Sequence, residues 1–469
     1  MDSSTALEQI RNVVGARGIV SPKAAEPLLR DHRGLYQGAA AAVVQPGSTA
    51  ECAAILEICS AARLGVVPQG GNTGYCGGAT PFDSERQILL SLARMNRIRR
   101  IDPIAFTMTA EAGVILSAAQ AAAADQQLLF PLSMGSEGSC QIGGNLSTNA
   151  GGLNVVRYGT ARELVLGLEV VLPSGAVLSE LKGLRKDNTG LDLKALFLGA
   201  EGTLGVITAA VLKLFPQPRS RQTAWLAVAS PTAACELLGE ARRQSGDQLV
   251  SAEYLSRTSL ELVLAHVEGA REPLSSRHDH YVMLELAGSL TDAALRELLE
   301  SLLAAGLESG KILDGVIAQS HAQRSALWKL RETIPEAERR EAKCIKHDIS
   351  VPIALIPEFL DGARQRLTRV AAHGLSVFGH LGDGNLHYNL VPPDAPAGFG
   401  DELAAELTAT LYAYVDEVGG SFSAEHGVGL FKRDELARFE SPVALELMQQ
   451  IKRTLDPDGI MNPGKLFVS

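Results

Sequence analysis

The hydrophobic pattern near the start of the chain predicts a strand, a helix and a second strand. An apolar run over residues 41–45 is typical of a strand, and Ser48 with Glu51 three positions later forms a capping box that opens a helix. Gly65 closes that helix, and a second strand begins at Val66 and runs into a glycine-rich loop. The segment is therefore predicted to be a βαβ unit with its loop at the carboxyl end of a strand, where α/β proteins bind phosphate groups.

Strands and helices continue along the chain in a pattern that predicts two domains. Before the chain breakers of the FPQPR segment, strands are predicted at residues 164–172, 176–178 and 206–215. We place a domain boundary near Pro216–Pro218. Beyond it, the pattern predicts an α+β domain whose strand and helices include residues 281–286, 353–372, 403–418 and 443–455.

Length, charge and cysteine usage narrow the class of protein. A chain of 469 residues is long enough for two or three domains with separate cores. The net charge of −10, without a basic stripe, excludes a nucleic-acid-binding protein. Six scattered cysteines without a CxxC pair predict reduced thiols. The N-terminus has no signal-peptide pattern and no apolar run reaches the length of a membrane span, so a soluble, cytoplasmic protein is expected.

Many of the 46 glycines fall into three segments of the first domain. These segments are PQGGNTGYCGG at residues 68–78, GSEGSCQIGGNLSTNAGG at residues 135–152 and GAEGTLGVIT at residues 199–208. Glycines let the backbone approach a ligand and aim its N–H groups at a diphosphate. The first segment is neither GxGxxG nor GxxxxGK[ST]. Each segment alone can also be a flexible turn, but three in one domain favour a single extended ligand.

Histidines and a glutamate in the second half suggest a metal site. His380 and His387 lie in a predicted hairpin with a Gly-Asp-Gly turn, and Asn389 shares a strand face with His387. Glu425 and His426 follow at a glycine-rich turn. Two histidines and one carboxylate form a divalent-metal set that leaves coordination positions open. Each histidine alone is equally consistent with a structural role.

Six ordered motifs resemble those of a known flavoprotein family. The three glycine segments, followed by GHLGDGNLHYN, SAEHGVG and MNPGK, are similar to the vanillyl-alcohol-oxidase-like, PCMH-type FAD family, in its branch of D-2-hydroxyglutarate and D-lactate dehydrogenases. The likeness covers roughly residues 40–467. It implies an α+β protein. A PCMH-type FAD-binding domain of two α/β subdomains spans residues 1–217, and a substrate-binding cap domain with an antiparallel sheet and the metal site spans residues 218–425. Residues 426–469 return to pack on the FAD domain.

The resemblance assigns residues to FAD. It assigns the diphosphate to residues of the first glycine segment. They are Pro68, Gly70, Gly71, Asn72, Thr73, Gly74 and Gly77. The rest of the cofactor is assigned to Ser133, Gly138, Ser139, Gly143, Gly144, Asn145, Thr148, Gly151, Glu201, Gly205, Ile207 and Asn462.

The resemblance also assigns roles at the metal site. It implies His380, His387 and Glu425 as ligands of a divalent metal that fixes and activates the hydroxyl of a D-2-hydroxy acid. His426 is then the candidate general base, and Asn389 orients the substrate or the base. Zn²⁺ suits these ligands, with Mn²⁺, Co²⁺ and Fe²⁺ as alternatives. The implied reaction is hydride transfer from C2 of the acid to flavin N5.

Two cations are assigned to the substrate anion. The family pattern places Arg331 and Lys346 on a substrate carboxylate, although both positions alone suit surface charges. Pro335 stands where the 2-hydroxyglutarate enzymes have a threonine. The resemblance still makes D-2-hydroxyglutarate the first choice of substrate, and the missing threonine hydroxyl leaves D-lactate, D-malate or a longer D-2-hydroxy acid as alternatives.

Other functions remain open from the sequence. A metal-independent flavin oxidase of the same fold, and a flavin subunit of a glycolate-oxidase-like complex, both fit the glycine segments. A non-haem iron oxygenase leaves those segments unexplained. An electron-transfer flavoprotein or a quinone is the expected electron acceptor, and a homodimer is expected.

Overall fold

The computed structural model describes residues 1–393 and 398–467, and the chain forms two compact units. The first unit contains residues 1–151, 159–217 and the chain from residue 426 onward. The second contains residues 152–158 and 218–425. Within the described ranges, the helices are all too short or too polar to cross a membrane.

Ten strands form the sheets of the first unit. They are β1 Ala39–Val44, β2 Gly65–Gln69, β3 Phe82–Ser91, β4 Ile98–Asp102, β5 Thr107–Glu111, β6 Leu128–Leu129, β7 Val165–Val171, β8 Val177–Glu180, β9 Val206–Lys213 and β10 Phe215–Pro216. A parallel sheet has the order β1-β3-β2, and an antiparallel sheet has the order β4-β5-β9-β7-β8. Strands β6 and β10 pair separately.

Helices surround these sheets. The α-helices of the first unit are Ser3–Val14, Pro22–Ala25, Thr49–Ala62, Leu116–Ala124, Ile142–Ser147, Arg433–Phe439 and Pro442–Leu455. Short 3₁₀ turns are Ala16–Gly18, Glu26–Leu28, Ala161–Leu164 and Leu193–Leu196. The helix Ile142–Ser147 lies inside the second glycine segment, for which the sequence analysis predicted no helix.

The predicted βαβ unit is present, with differences in detail. The Ser48 hydroxyl accepts a hydrogen bond from the Glu51 N–H, and the Glu51 carboxylate accepts from the Gly47 N–H at 2.7 Å. The helix ends at Arg63 in a left-handed conformation, and Gly65 already belongs to β2. The prediction that Gly65 closes the helix was therefore wrong. Strand β3, which the sequence analysis missed, lies between the two predicted strands.

The far end of the chain extends the parallel sheet. Strand β2 is at the edge of that sheet, and its Val66 pairs in parallel with Met461. The Val66 N–H donates to Ile460 O at 2.7 Å, and the Asn462 N–H donates to Val66 O at 2.8 Å. Residues 460–462 thereby satisfy the backbone of an edge strand that would otherwise be exposed for pairing.

The second unit is built on one antiparallel sheet of seven strands. They are β11 Ser220–Val228, β12 Leu249–Ser256, β13 His280–Gly288, β14 Ile312–Ile317, β15 Asp348–Ser350, β16 Gly374–His380 and β17 Asn385–Val391, in the order β14-β11-β13-β12-β16-β17-β15. Its helices are Val155–Tyr158, Pro231–Ser245, Arg257–His266, Asp292–Glu308, His321–Glu332, Ile334–Glu341, the 3₁₀ turn Ile353–Leu355, Ile356–Val370 and Asp401–Glu417. Strands β11, β12 and β13 are almost entirely buried.

The predicted hairpin is formed by β16 and β17. Phe378 lies opposite His387 across the two strands, and Ser376 lies opposite Asn389. Gly384 in the connecting turn has φ of +81°, and a β-carbon there would lie 2.3 Å from Val351 O. The turn therefore requires glycine, and it fixes the hairpin that carries both histidines.

Candidate active site

The first two glycine segments lie against each other. A β-carbon on Gly71 would be 2.1 Å from Ser139 O, and one on Gly70 would be 3.3 Å from the Gly144 backbone. The contact at Gly71 requires glycine, because real β-carbons do not approach other atoms so closely, and the contact at Gly70 leaves little room for a side chain. The predicted diphosphate loop after β2 and the segment around residues 139–144 thus form one glycine-lined surface.

The third glycine segment joins the first through hydrogen bonds. The Glu201 carboxylate accepts from the N–H groups of Val428 and Gly429, each at 2.7 Å. The Asn462 side-chain amide donates to Glu201 O at 2.7 Å and to Gly78 O at 3.0 Å. Segments that are far apart in sequence therefore meet within the first unit, as a single extended ligand requires.

The other residues assigned to FAD also belong to the first unit. Pro68 is in β2 and contacts Gly202, while Ile207 is in β9. The Asn72 amide donates to Arg30 O at 2.8 Å, and the Thr148 hydroxyl donates to Gly144 O at 3.1 Å. The remaining positions lie in loops of this unit or in the helix Ile142–Ser147. They are Thr73, Gly74, Gly77, Ser133, Gly138, Gly143, Asn145, Gly151 and Gly205.

Buried acceptors beside the glycine segments fit a ligand with hydroxyl groups. Gln141 Oε1 and Asn462 Oδ1 are buried and have no hydrogen-bond donor among the described residues. Such oxygens are costly unless a ligand or water satisfies them. Added β-carbons on Gly74 and Gly138 would meet no protein atom within 4 Å. The residues of this surface therefore fit FAD, because its ribityl hydroxyls are donors that can satisfy these oxygens and its diphosphate is an acceptor for the N–H groups of the glycine loop.

His426 begins the C-terminal segment of this unit. Its ring packs edge-to-face against Tyr75, with 4.6 Å between ring centroids. The next residue, Gly427, has φ of +74° and accepts a hydrogen bond from the Cys76 thiol at 3.3 Å. Together with the bonds from Glu201 to the following residues, these contacts fix the turn that carries the candidate base.

A group of metal-ligating side chains lies in the second unit. Asp348, His387 and Glu425 each have a ligand atom within 4.8 Å of the others, and His387 Nε2 is 3.7 Å from Glu425 Oε1. Asp348 lies directly opposite His387 across β15 and β17, and its Oδ2 accepts from the Glu425 N–H at 3.0 Å. Nitrogen and oxygen donors of this kind fit a borderline divalent cation such as Zn²⁺ or Mn²⁺.

Asp348 was missed by the sequence analysis, and His380 lies apart from these three residues. The residues around Lys346 alternate in polarity as in a strand, and Asp348 stands two positions later, on the same strand face. This spacing was the signal that could have revealed Asp348. The ring of His380 is 6.4 Å from that of His387, centroid to centroid. Its assignment as a ligand therefore stays a prediction.

His380 is held by a buried carboxylate. Its Nδ1 lies 2.7 Å from Glu253 Oε1, and the side chain of Glu253 is fully buried. Burial opposes the charged form of both groups, but their attraction dominates. It raises the pKa of His380 to about 9 and, with Arg331, lowers the pKa of Glu253 to about 2. Glu253 is the single carboxylate in the strand LVSAEYLS, and a lone acid in a buried strand was the signal that could have revealed it.

The two predicted anion-binding cations are both backed by buried glutamates. Arg331 is 5% exposed and its Nε donates to Glu253 Oε2 at 2.7 Å. Lys346 lies 3.0 Å from Glu338, whose carboxylate also accepts two hydrogen bonds from the Asn389 amide. Arg331 is thus part of the core, whereas the Lys346 side chain is 33% exposed and reaches its buried partner from the surface. Their contact with a substrate, like that of Asn389, stays a prediction.

Part of the predicted flavin segment belongs to the second unit. Residues 152–158 carry Val156, and a β-carbon on Gly382 would be 2.7 Å from its side chain. Arg157 donates to Ala287 O at 2.6 Å. Gly382 is in the turn between the two histidines, so this short segment packs directly on the hairpin.

Comparison with known proteins identifies the family of the chain. Residues 40–179 match the FAD binding domain family, and residues 217–466 match the C-terminal domain of FAD linked oxidases. Solved structures of p-cresol methylhydroxylase and of 4-ethylphenol oxidase from Gulosibacter chungangensis share the fold, with TM-scores of 0.72 and 0.74 at 17% and 18% identity. The similarity covers 99% of this chain in each case, and 96% and 97% of those chains. The predicted PCMH-type FAD-binding fold and the antiparallel sheet of the second domain are confirmed.

Several relatives are similar over nearly the whole chain. The mitochondrial D-2-hydroxyglutarate dehydrogenase of Arabidopsis thaliana is 40% identical over 97% of this chain and 80% of that protein. The mitochondrial enzyme of Bos taurus is 40% identical over 98% of this chain and 83% of its own. The D-2-hydroxyglutarate dehydrogenase of Xanthomonas citri is 40% identical over 91% of this chain and 89% of its own. The expected cytoplasmic location is contradicted by relatives that are mitochondrial by name. The chain belongs to the FAD-linked oxidase family, together with the D-2-hydroxyglutarate dehydrogenases that it resembles.

Proposed function

We propose that this protein is an FAD-dependent dehydrogenase that oxidises D-2-hydroxyglutarate to 2-oxoglutarate. The observation that carries the proposal is the meeting of His387, Glu425 and Asp348 in the same unit as two cations paired with buried glutamates, Arg331 and Lys346. A metal set and two cations match a substrate with one hydroxyl and two carboxylates. The relatives named for that substrate support the choice.

The residues divide the work as follows. Arg331 and Lys346 pair with the carboxylates of the substrate and fix its orientation. His380, His387 and Glu425 would hold the metal, which would lower the pKa of the substrate hydroxyl, and FAD would supply the acceptor for the hydride of C2. His426 is the general base, because it follows Glu425 directly in the chain and a neutral imidazole can accept the hydroxyl proton. Asn389 lies on the same strand face as His387 and orients the substrate or the base.

Finer points of this function are also proposals. Zn²⁺ is our choice of metal, because it binds imidazole and carboxylate without redox chemistry of its own. An electron-transfer flavoprotein or a quinone is the proposed acceptor, since the relatives are named dehydrogenases. We also propose a homodimer. D-Lactate and D-malate are the alternative substrates, because Pro335 offers a carbonyl to Lys346 and no hydroxyl to a substrate.

Anaerobic flavin reduction tests the proposal. The purified protein should be yellow, and its flavin absorbance should bleach on addition of D-2-hydroxyglutarate without an acceptor. L-2-Hydroxyglutarate is the stereochemical control and should leave the absorbance unchanged. Faster bleaching by D-lactate or D-malate would reassign the substrate, and a protein that neither contains nor takes up FAD would refute the function.

A further inference from the structure

Glu253 is a buried carboxylate that bonds two proposed active-site residues at once. It lies in β12 and is fully buried. Its Oε1 is 2.7 Å from His380 Nδ1, and its Oε2 accepts from Arg331 Nε at 2.7 Å. The Ser251 hydroxyl donates a further bond to Oε1 at 3.1 Å. The two carboxylate oxygens of Glu253 thus bond two different side chains, those of His380 and Arg331.

We propose that Glu253 is a positioning residue that couples the substrate-anion site to the metal site. By bonding both groups it fixes the orientation of the Arg331 guanidinium and of the His380 ring relative to each other. The proposal rests on the proposed function, because it assumes that Arg331 binds the substrate and that His380 binds the metal.

The bond to His380 determines which ring nitrogen can bind a metal. A carboxylate accepts from an N–H group, so Nδ1 of His380 carries a proton, and Nε2 is the nitrogen that can bind a metal once the metal displaces its proton. Metal-binding histidines commonly donate their other nitrogen to a carboxylate, which fixes the tautomer and the plane of the ring. The register supports this arrangement, since Glu253 and His380 lie directly opposite each other across β12 and β16.

The bond to Arg331 uses one side of the guanidinium. Nε is engaged by Glu253, and the plane of the group lies over the Phe378 ring, with 4.9 Å from Cζ to the ring centroid. In the part of the chain that the structure describes, its two Nη groups make no hydrogen bond to protein. They remain as a planar pair of donors, the geometry that binds a carboxylate in a bidentate manner.

An amide cannot replace this carboxylate. Glutamine has one acceptor oxygen and an NH₂ group that donates, so it can accept from His380 or from Arg331 but not from both. One of the two groups must then turn or lose its partner. Loss of Glu253 is therefore expected to affect metal binding and substrate binding together, although the side chain touches neither ligand.

Glu285 provides a matched control. It is buried in β13, the neighbouring strand, and also binds an arginine, Arg221. It accepts further bonds from Thr223 at 2.7 Å and from Trp328 at 2.8 Å. Glu285→Gln therefore disturbs a comparable core network of the same sheet without touching His380 or Arg331. A purely structural role of Glu253 predicts that both variants behave alike.

The test compares Glu253→Gln and Glu285→Gln in the full-length FAD-loaded protein. Equilibrium dialysis against buffered Zn²⁺ should show an affinity reduced about 10- to 100-fold in Glu253→Gln. The apparent KM for D-2-hydroxyglutarate should rise about tenfold or more, since a charge-assisted contact is misplaced. The FAD content should be unchanged. Glu285→Gln should lower the thermal midpoint but leave Zn²⁺ affinity and KM at the wild-type values.

Glu253→Asp extends the test to a variant that keeps the charge. Its carboxylate is one methylene shorter, so it should shift Zn²⁺ affinity and KM in the same direction but less. Wild-type Zn²⁺ affinity and KM in Glu253→Asp, or in a folded Glu253→Gln, would overturn the proposal. A wild-type protein that binds no metal or oxidises no D-2-hydroxy acid would instead refute the proposed function, so the two failures are distinguishable.

Discussion

Gly71 and Gly74 lie in the same loop, but an added β-carbon meets different surroundings at each. At Gly71 it would lie 2.1 Å from the carbonyl oxygen of Ser139, so the two glycine segments would be forced apart. At Gly74 it would meet no protein atom within 4 Å. Gly71 is therefore required by the packing of the protein, whereas the space beside Gly74 is open to a ligand.

We expect Gly74→Val to weaken FAD binding without destabilising the apoprotein, because the added side chain extends into space that the proposed cofactor fills. Gly71→Ala should lower both the thermal midpoint of the apoprotein and its FAD content. Differential scanning fluorimetry of the stripped proteins and flavin absorbance after reconstitution measure the two effects separately. Full FAD occupancy in Gly74→Val would place the cofactor elsewhere.

Lys346 allows a second test at the level of one side chain. Lys346→Met should raise the apparent KM for the D-2-hydroxy acid about 10- to 100-fold, because a charge-assisted contact contributes about 1.5–3 kcal/mol. Lys311 is the matched control, since it is also half-buried in the second unit and pairs with glutamates, Glu236 and Glu240. Lys311→Met should leave steady-state kinetics unchanged. Equal KM values in the two variants would make Lys346 a structural residue.

At the scale of elements, the antiparallel sheet of the first unit depends on a buried carboxylate at the end of β5. Glu111 is fully buried, and its oxygens accept from the Arg97 N–H at 2.9 Å, the Arg97 guanidinium at 2.9 Å and Arg99 at 3.2 Å. Burial alone would raise the pKa of Glu111, but these bonds outweigh it and lower the pKa. The charged form is therefore stabilised by folding.

This shift predicts how stability depends on pH. Because the folded pKa of Glu111 lies below its unfolded value, the stabilisation is fully present above the unfolded pKa of about 4.5 and is lost as pH falls through the lower folded pKa. Glu111→Gln should reduce the free energy of unfolding at pH 7 by about 1.5–3 kcal/mol. The difference from wild type should shrink as pH falls below 4.5. Urea denaturation between pH 7 and pH 3 measures it, and a difference that grows with acidity would contradict the assignment.

Elements with a strong local signal were predicted from the sequence. The capping box at Ser48, the hairpin of His380 and His387, and the helix predicted at residues 443–455 all appear within a few residues of their predicted places. Their signals are local, because caps, turns and periodicity act over a few positions. Strand β3 was missed because half of its residues are exposed and polar, so its pattern did not stand out.

At the scale of the whole molecule, the pairings that complete each site could not be predicted. Glu253 meets His380 across 127 residues, and Glu201 meets Val428 across 227. A buried acid is visible in the sequence, but its partner is set by strand order, which local pattern does not encode. Motif resemblance assigned the ligands and the flavin residues, Glu201 among them, and it gave no indication of the buried carboxylates of Glu253 and Glu338.

The residues assigned to FAD differ from those assigned to the metal, and this leads to a prediction about metal removal. The FAD residues, from Pro68 to Asn462, belong to the first unit, whereas Asp348, His387 and Glu425 belong to the second. Dialysis against a chelator should therefore abolish substrate-dependent flavin reduction, by about a hundredfold or more, since metal activation contributes several kcal/mol. The FAD absorbance should remain. Readdition of Zn²⁺ should restore the rate, and undiminished reduction by metal-free protein would exclude a metal-assisted reaction.

The pairing of β2 with residues 460–462 has a consequence for biosynthesis. The edge strand of the parallel sheet emerges from the ribosome almost 400 residues before the segment that covers it, and a long loop must close before the contact forms. Until then the nascent first unit has an open sheet edge and lacks Asn462, which joins its glycine segments. We therefore expect flavin to load only after residues 460–462 have been synthesised, so a chain that stops before Asn462 carries all three glycine segments but an incomplete cofactor site.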